Sequence, residues 1–147
     1  MSGIIVGIDG SDHSLRALAW AIGEAAIRQT PLTVIIAVQQ PAPGYWGYHV
    51  PYLGEEGVVE QARKLAQVET EQALDKTDPG SQPPSVAVQA VTGLAGNVLL
   101  EAAEGADMLV VGSRGVGGFK RLRLGSVGVQ VTHHAHCPVV VIPSEDI

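Results

Sequence analysis

The chain has 147 residues, 46% of them hydrophobic and 16% charged, with 18 glycines and only 4% aromatic residues. That length suits one domain, residues 1–147, able to bury about two-thirds of the surface its unfolded form would expose, with no need of a disulfide or metal. A net charge of −6 argues against nucleic acid or an anionic membrane as partner, and the lone Cys137 excludes an internal disulfide framework and a thiolate metal cage. The opening MSGIIVGIDGSDHS lacks a basic leader segment and an apolar stretch before a cleavage site, so a cytoplasmic location is expected. No run approaches the length of a membrane-spanning helix.

Ile4-Ile5-Val6-Gly7-Ile8 is a short continuous apolar run, as in a strand covered on both faces. Asp9-Gly10-Ser11-Asp12 supplies turn and helix-start chemistry. Leu15, Leu18, Ala19, Ile22 and Ala26 then recur at helical spacing. Pro31 ends that helix, and Leu32–Val38 reads as a second buried strand. Residues 39–54 break the pattern with three prolines and with Tyr45, Trp46, Tyr48 and Tyr52, a length and composition that suit either a functional loop or one pinned to the body by its aromatics. Regularity resumes near Glu55, where Val58, Ala62, Leu65, Ala66 and Ala73 predict an apolar stripe and Glu60–Lys64 an i,i+4 pair. Ser85–Val91 alternates like a strand covered on one side, which places it at a sheet edge. A short helix presenting Val98, Leu99, Ala102 and Ala103 inward and stopping at Gly105 precedes a fourth strand, Asp107–Val111. A glycine-rich segment leads into a helix running to about Ala135, and Pro138 introduces a fifth strand, Val139–Ile142, stopped by Pro143.

Five strands alternating with four helices predict an open, doubly wound parallel sheet with helices on both faces. Ligands of such sheets sit at the carboxyl ends of the strands, which directs attention to Asp9, the loop after Val38 and the segment after Val111.

The strongest local signal is Gly112-Ser113-Arg114-Gly115, nine further residues, then Gly125-Ser126-Val127. Gly112 and Gly115 permit close backbone approach to a ligand. Gly125-Ser126 opens a helix whose free N–H groups favour an anion. Arg114, Lys120, Arg121 and Arg123 concentrate positive charge in the same segment of an acidic protein. Phosphate binding and a solvated glycine-rich loop with a basic tip both account for these features. Asp9 is equally open, as a ligand for Mg²⁺ or a ribose hydroxyl or as a turn former before the helix. No P-loop, no dinucleotide G-x-G-x-x-G and no nucleophile elbow occurs. His133, His134 and His136 fit partners of a helix C-terminal dipole better than metal ligands. Cys137 reads as structural.

The G-x2-G-x9-G-S pattern, together with VGIDGSDHSLRAL, ADMLVVGSRG and HHAHCPVVVIP, resembles the universal stress protein family, and within it the ATP-binding branch. The resemblance implies sheet order 3-2-1-4-5, a homodimer joined through Val139–Ile142, and ATP with Mg²⁺ as ligand. Carried over by position, Ile8, Asp9, Gly10, Ser11, Val38, Gly112, Ser113, Arg114, Gly115, Gly125, Ser126 and Val127 form the nucleotide site. Asp9 would lie by the ribose or the metal-bound phosphates and the Val38 backbone by the adenine. The implied role is a regulatory module of the stress response that presents a nucleotide-dependent surface to a protein partner. An ATP-hydrolysing or phosphoryl-transferring enzyme is the alternative, but no residue is evidently placed to orient an attacking water.

Overall fold

The computed structural model describes residues 3–39, 54–113 and 124–143. Along the chain they form β1 (Ile4–Ile8), α1 (Asp12–Arg28), β2 (Leu32–Val38), α2 (Gly54–Asp75), β3 (Val86–Thr92), α3 (Ala95–Ala102), β4 (Met108–Gly112), α4 (Ser126–His134) and β5 (Val139–Ile142). A single turn of 3₁₀ helix, Pro79–Ser81, interrupts the connection before β3. The strands make one parallel sheet in the order β3-β2-β1-β4-β5, the order the resemblance implied. β3 is at an edge, as its alternation predicts.

The two faces of the sheet carry separate cores. On one, Ile4, Val6, Ile8, Val34, Ile36 and Val110 pack with Leu18, Ile22 and Ala25 of α1 and Ala66 of α2. On the other, Ile35, Leu109 and Val111 meet Val98 and Leu99 of α3 and Val131 of α4. This two-sided burial explains why β1, β2 and β4 read as unbroken apolar runs while β3 alternates.

Local signals fix the helix ends. The Ser11 hydroxyl accepts from the Ser14 N–H at 3.2 Å and caps α1, and Gln29, at φ 50°, closes it ahead of Pro31. The face that α1 buries is Ser14, Ala17, Leu18, Ala21, Ile22, Ala25 and Ala26. The sequence pattern proposed Ala19, but that residue is exposed and Ala17 is fully buried in its place. Each large aliphatic removed from water is worth about 1.5–3 kcal/mol, against about 0.3–0.5 kcal/mol for an exposed pair such as Arg28–Glu24, so apolar burial decides how α1 sits. On α2 the inward stripe is Ala62, Ala66, Thr70, Ala73 and Leu74, with Leu65 turned outward at 52% exposure. Glu60 bonds bidentately to Arg63 (2.6 and 3.0 Å), while the expected partner Lys64 adds only through-space attraction.

Candidate functional site

The site is organised by a break in one strand pair. β1 pairs with β2 along its whole length, as far as Ile8↔Ile36, and β4 pairs with β5 as far as Gly112↔Ile142. The β1–β4 ladder stops earlier, at Val6↔Val110. Beyond that point the two central strands no longer pair, and Gly7-Ile8 and Val111-Gly112 are the two sides of a candidate crevice at their carboxyl ends. The β1–β4 boundary is also where the order of strands reverses along the chain, the place at which doubly wound sheets open for ligands.

On the β1 side, Asp9 is held by its own turn. Its carboxylate accepts from the Ser11 N–H (2.9 Å) and from the Ser11 hydroxyl, while its N–H donates to the Ser14 hydroxyl (3.1 Å). Gly10, at φ 85°, makes the sharp exit from the strand, a conformation that costs other residues energy. Asp9 and Gly10 are exposed and Ile8 is buried.

On the β4 side, Ser113 is the anchor. Its N–H donates to the Ile142 carbonyl (2.9 Å), and its carbonyl accepts from the Gly125 N–H (2.7 Å). Residues 113 and 125 are thereby tied backbone to backbone. Ser113 is 5% exposed, and among the described residues its hydroxyl has no hydrogen-bond partner. A buried polar group left in that state costs about 1–3 kcal/mol. α4 starts at once from this anchor with Gly125 as its N-cap, and no side chain caps it. The first-turn N–H groups of Ser126, Val127 and Gly128 therefore have no intrahelical acceptor. α3 also lacks a side-chain cap, so an open helix start is not distinctive alone. At α4 it adjoins a buried, unpaired hydroxyl.

The remaining expected residues fall in three groups. Val38 ends β2 on the far side of β1, and its carbonyl already accepts from the Gly93 N–H (2.9 Å). Gly112, Gly125, Ser126 and Val127 are at the crevice end of β4 and α4. Arg114 and Gly115 lie outside the described residues, as do Lys120, Arg121, Arg123 and the aromatics Tyr45, Trp46, Tyr48 and Tyr52.

Two residues escaped the sequence reading. Ser14 is 4% exposed and braces Asp9. A Ser-x-x-Ser spacing was its only signal. Glu69, from α2, has a buried carboxylate oxygen without a hydrogen-bond partner among the described residues. Its pKa is pushed above the usual carboxyl range, first by burial and then by the charge of Asp9. Nothing in the helical pattern of α2 distinguishes Glu69 from the solvated glutamates around it.

Away from the crevice, His136 shares a 2.9 Å contact with Glu104. Among the described residues no group of three or more His, Cys, Asp or Glu side chains could hold a metal ion, and no helix is long and apolar enough to cross a membrane.

The chain matches the model of the universal stress protein family over residues 1–143. It is 36% identical over 147 residues to universal stress protein Rv2623 of Mycobacterium tuberculosis, covering 98% of this chain and 48% of that protein. It is 32% identical over 152 residues to universal stress protein Rv2624c of the same organism, covering 99% and 49%. The chain thus spans about half the length of the curated relatives it matches. Among solved structures, universal stress protein UspA from Lactobacillus plantarum superposes with a TM-score of 0.75 at 26% identity, over 96% of this chain and 97% of that one. A universal stress protein in complex with cAMP superposes with a TM-score of 0.65 at 26% identity, over 97% and 96%. Family model, relatives and fold agree, and the chain belongs to the universal stress protein family.

Proposed function

We propose that residues 1–147 form an adenine-nucleotide-binding domain whose ligand is ATP with Mg²⁺, and that the protein works as a homodimeric regulatory module of the stress response in the cytoplasm. The observation that carries the reading is the buried hydroxyl of Ser113, unpartnered among the described residues, beside the open first turn of α4. Donors without acceptors beyond the end of the β1–β4 ladder suit an anionic ligand, with the helix dipole adding attraction. Phosphate would take the N–H groups of Ser126 and Val127 and the Ser113 hydroxyl. Ribose or a phosphate-bound Mg²⁺ would take the Asp9 carboxylate, which the Ser11–Ser14 turn holds in place. The cAMP complex of a family member supports a nucleotide. The triphosphate rests on the glycine pattern that continues through Arg114 and Gly115. Dimerisation would use the outer edge of β5, residues Val139–Ile142.

Calorimetric titration with ATP, with and without Mg²⁺, and with AMP and cyclic AMP, tests the ligand. The wild type is expected to bind Mg-ATP. Gly115→Glu is expected to abolish binding while the protein stays folded, because a side chain and a negative charge would enter the volume the phosphates need. Undiminished ATP binding by Gly115→Glu would remove the assigned site. Release of ADP at a steady rate during the titration would favour the enzyme reading over the module.

A further inference from the structure

We infer that the outer edge of β3 is a second self-association surface, pairing antiparallel with β3 of another copy about a two-fold axis at Gln89. Edge strands of soluble proteins are ordinarily blunted by charge, proline, a bulge or shortness. The seven residues of β3, Val-Ala-Val-Gln-Ala-Val-Thr, carry none of these devices. β5, at the opposite edge, is only four residues long and is bracketed by Pro138 and Pro143. Among the described residues nothing pairs with the outer side of β3.

The hydrogen-bond register makes the edge self-complementary. Leu32 donates to the Ser85 carbonyl and Gly93 donates to the Val38 carbonyl, so the odd-numbered residues of β3 bond to β2. The N–H and C=O groups of Val86, Val88, Ala90 and Thr92 therefore point outward. An antiparallel partner centred on Gln89 sets Val88 against Ala90 and Val86 against Thr92 as hydrogen-bonded pairs. The closer, non-hydrogen-bonded positions match Ala87 with Val91 and Gln89 with its own copy. Val88 then faces Ala90 and Val91 faces Ala87, a large side chain against a small one in each case, Val86 faces the near-isosteric Thr92, and the two glutamine amides can donate to each other across the axis. Ala87, Gln89 and Val91 are exposed in the single chain, Val91 at 36%, so this pairing covers apolar surface without disturbing the core. With β5 edges joined as proposed above, pairing at β3 continues the sheet beyond the dimer. The β3 contact itself does not depend on that reading.

Sedimentation velocity over a concentration series, with equimolar mixing of variants, tests the inference. Gln89→Lys and Gln89→Glu each place like charges opposite one another on the axis, on an exposed side chain that leaves the fold intact, and each is expected to weaken the contact by roughly tenfold or more. Mixing the two variants sets Lys against Glu and is expected to restore association, an effect a folding defect would not show. In the wild type, amide exchange at Val88 and Ala90 is expected to slow as assembly proceeds, since those N–H groups have no acceptor among the described residues. Val141→Pro separates this contact from the β5 reading. The N–H of Val141 faces away from β4, because Leu109 and Ser113 donate to Pro138 and Ile142, so this variant removes an outward donor and spares the ladder. If Val141→Pro gives monomer while both Gln89 variants leave the assembly unchanged, the β3 contact is wrong and the β5 dimer stands. If the Gln89 variants dissociate a dimer that Val141→Pro leaves intact, β3 stands and β5 falls.

Discussion

The two ends of the sheet follow opposite rules. At the amino ends, strands enter with their backbone groups paired: Ile4 donates to Pro31, Asp107 to Gly3, Leu32 to Ser85 and Leu109 to Pro138, all at 2.9–3.0 Å. At the carboxyl ends the β1–β4 ladder stops short, and among the described residues the Ser113 hydroxyl and a Glu69 oxygen are buried without partners. A cleft of about 410 Å³ does open at the amino ends, lined by Gly3, Ile5, Pro31, Thr33, Glu104 and Gly105. Unmet capacity is the better guide to a ligand, because a buried polar group without a partner is a standing cost that a correctly shaped ligand removes.

The sharpest way to break this contrast is Ser113→Ala. If the hydroxyl meets phosphate, its loss costs about 1.5–3 kcal/mol of binding, or roughly ten- to a hundredfold in affinity. In the free protein the same change deletes an unsatisfied buried atom, so thermal stability should hold or rise. Glu104→Gln, at the amino-end cleft, should leave nucleotide affinity unchanged. Calorimetry beside thermal melts reads both outcomes. A Ser113→Ala variant that loses stability and keeps its affinity would make the hydroxyl structural and the carboxyl-end crevice an ordinary gap.

Gly7→Ala probes the boundary between the two regimes. Gly7 follows the last β1–β4 pair, and a Cβ there would stand 2.6 Å from Leu99 Cδ1 and 2.9 Å from Cδ2. Leu99 is 4% exposed, so it cannot swing away. Overpacking of this kind costs about 1–3 kcal/mol, which corresponds to a fall of several degrees in melting temperature for a chain of this size. Chemical denaturation should show a lower midpoint with an unchanged slope. An unaltered midpoint would mean that α3 can retreat from the sheet.

Much of this was legible in the sequence, for physical reasons that also mark the limits. Strands buried on both faces are apolar along most of their length, so Ile4–Ile8, Leu32–Val38 and the run Met108–Val111 declared themselves. β3 betrayed its edge position by alternating. At Gly10 a φ of 85° favours glycine, whereas Gly125, with φ −71° and ψ 177°, starts α4 from backbone that any residue can adopt, so the glycine spacing carries more than local conformation requires. Helix faces were harder to read. Ala17 and Ala19 have the same chemistry, and only packing against the sheet decides which is buried. Glu60 chose Arg63 over Lys64 because the guanidinium fork bonds both carboxylate oxygens at once. Glu69 was illegible, since its character comes from Asp9, sixty residues away in sequence and near in space.

Glu69→Gln is the smallest effect and tests that proximity directly. Burial raises the folded-state pKa of Glu69 above its unfolded value, and the charge of Asp9 adds to the rise. The folded state thus favours the protonated carboxyl. As pH climbs from the unfolded carboxyl range, about 4.3, through the raised folded value, the native protein loses stability relative to a variant that cannot ionise. Below both values the two proteins differ only by the neutral side chains, and that difference is the baseline. Above them, Glu69→Gln should gain over the baseline, by a margin kept small by the partial exposure of the group. Repeating the comparison with Asp9→Asn in both proteins should shrink the gain without removing it, because burial is the larger cause. Melting curves from pH 3 to 8 measure all four proteins. A difference that stayed constant across that range would mean that the carboxyl is solvated, and that α2 does not press Glu69 toward the crevice.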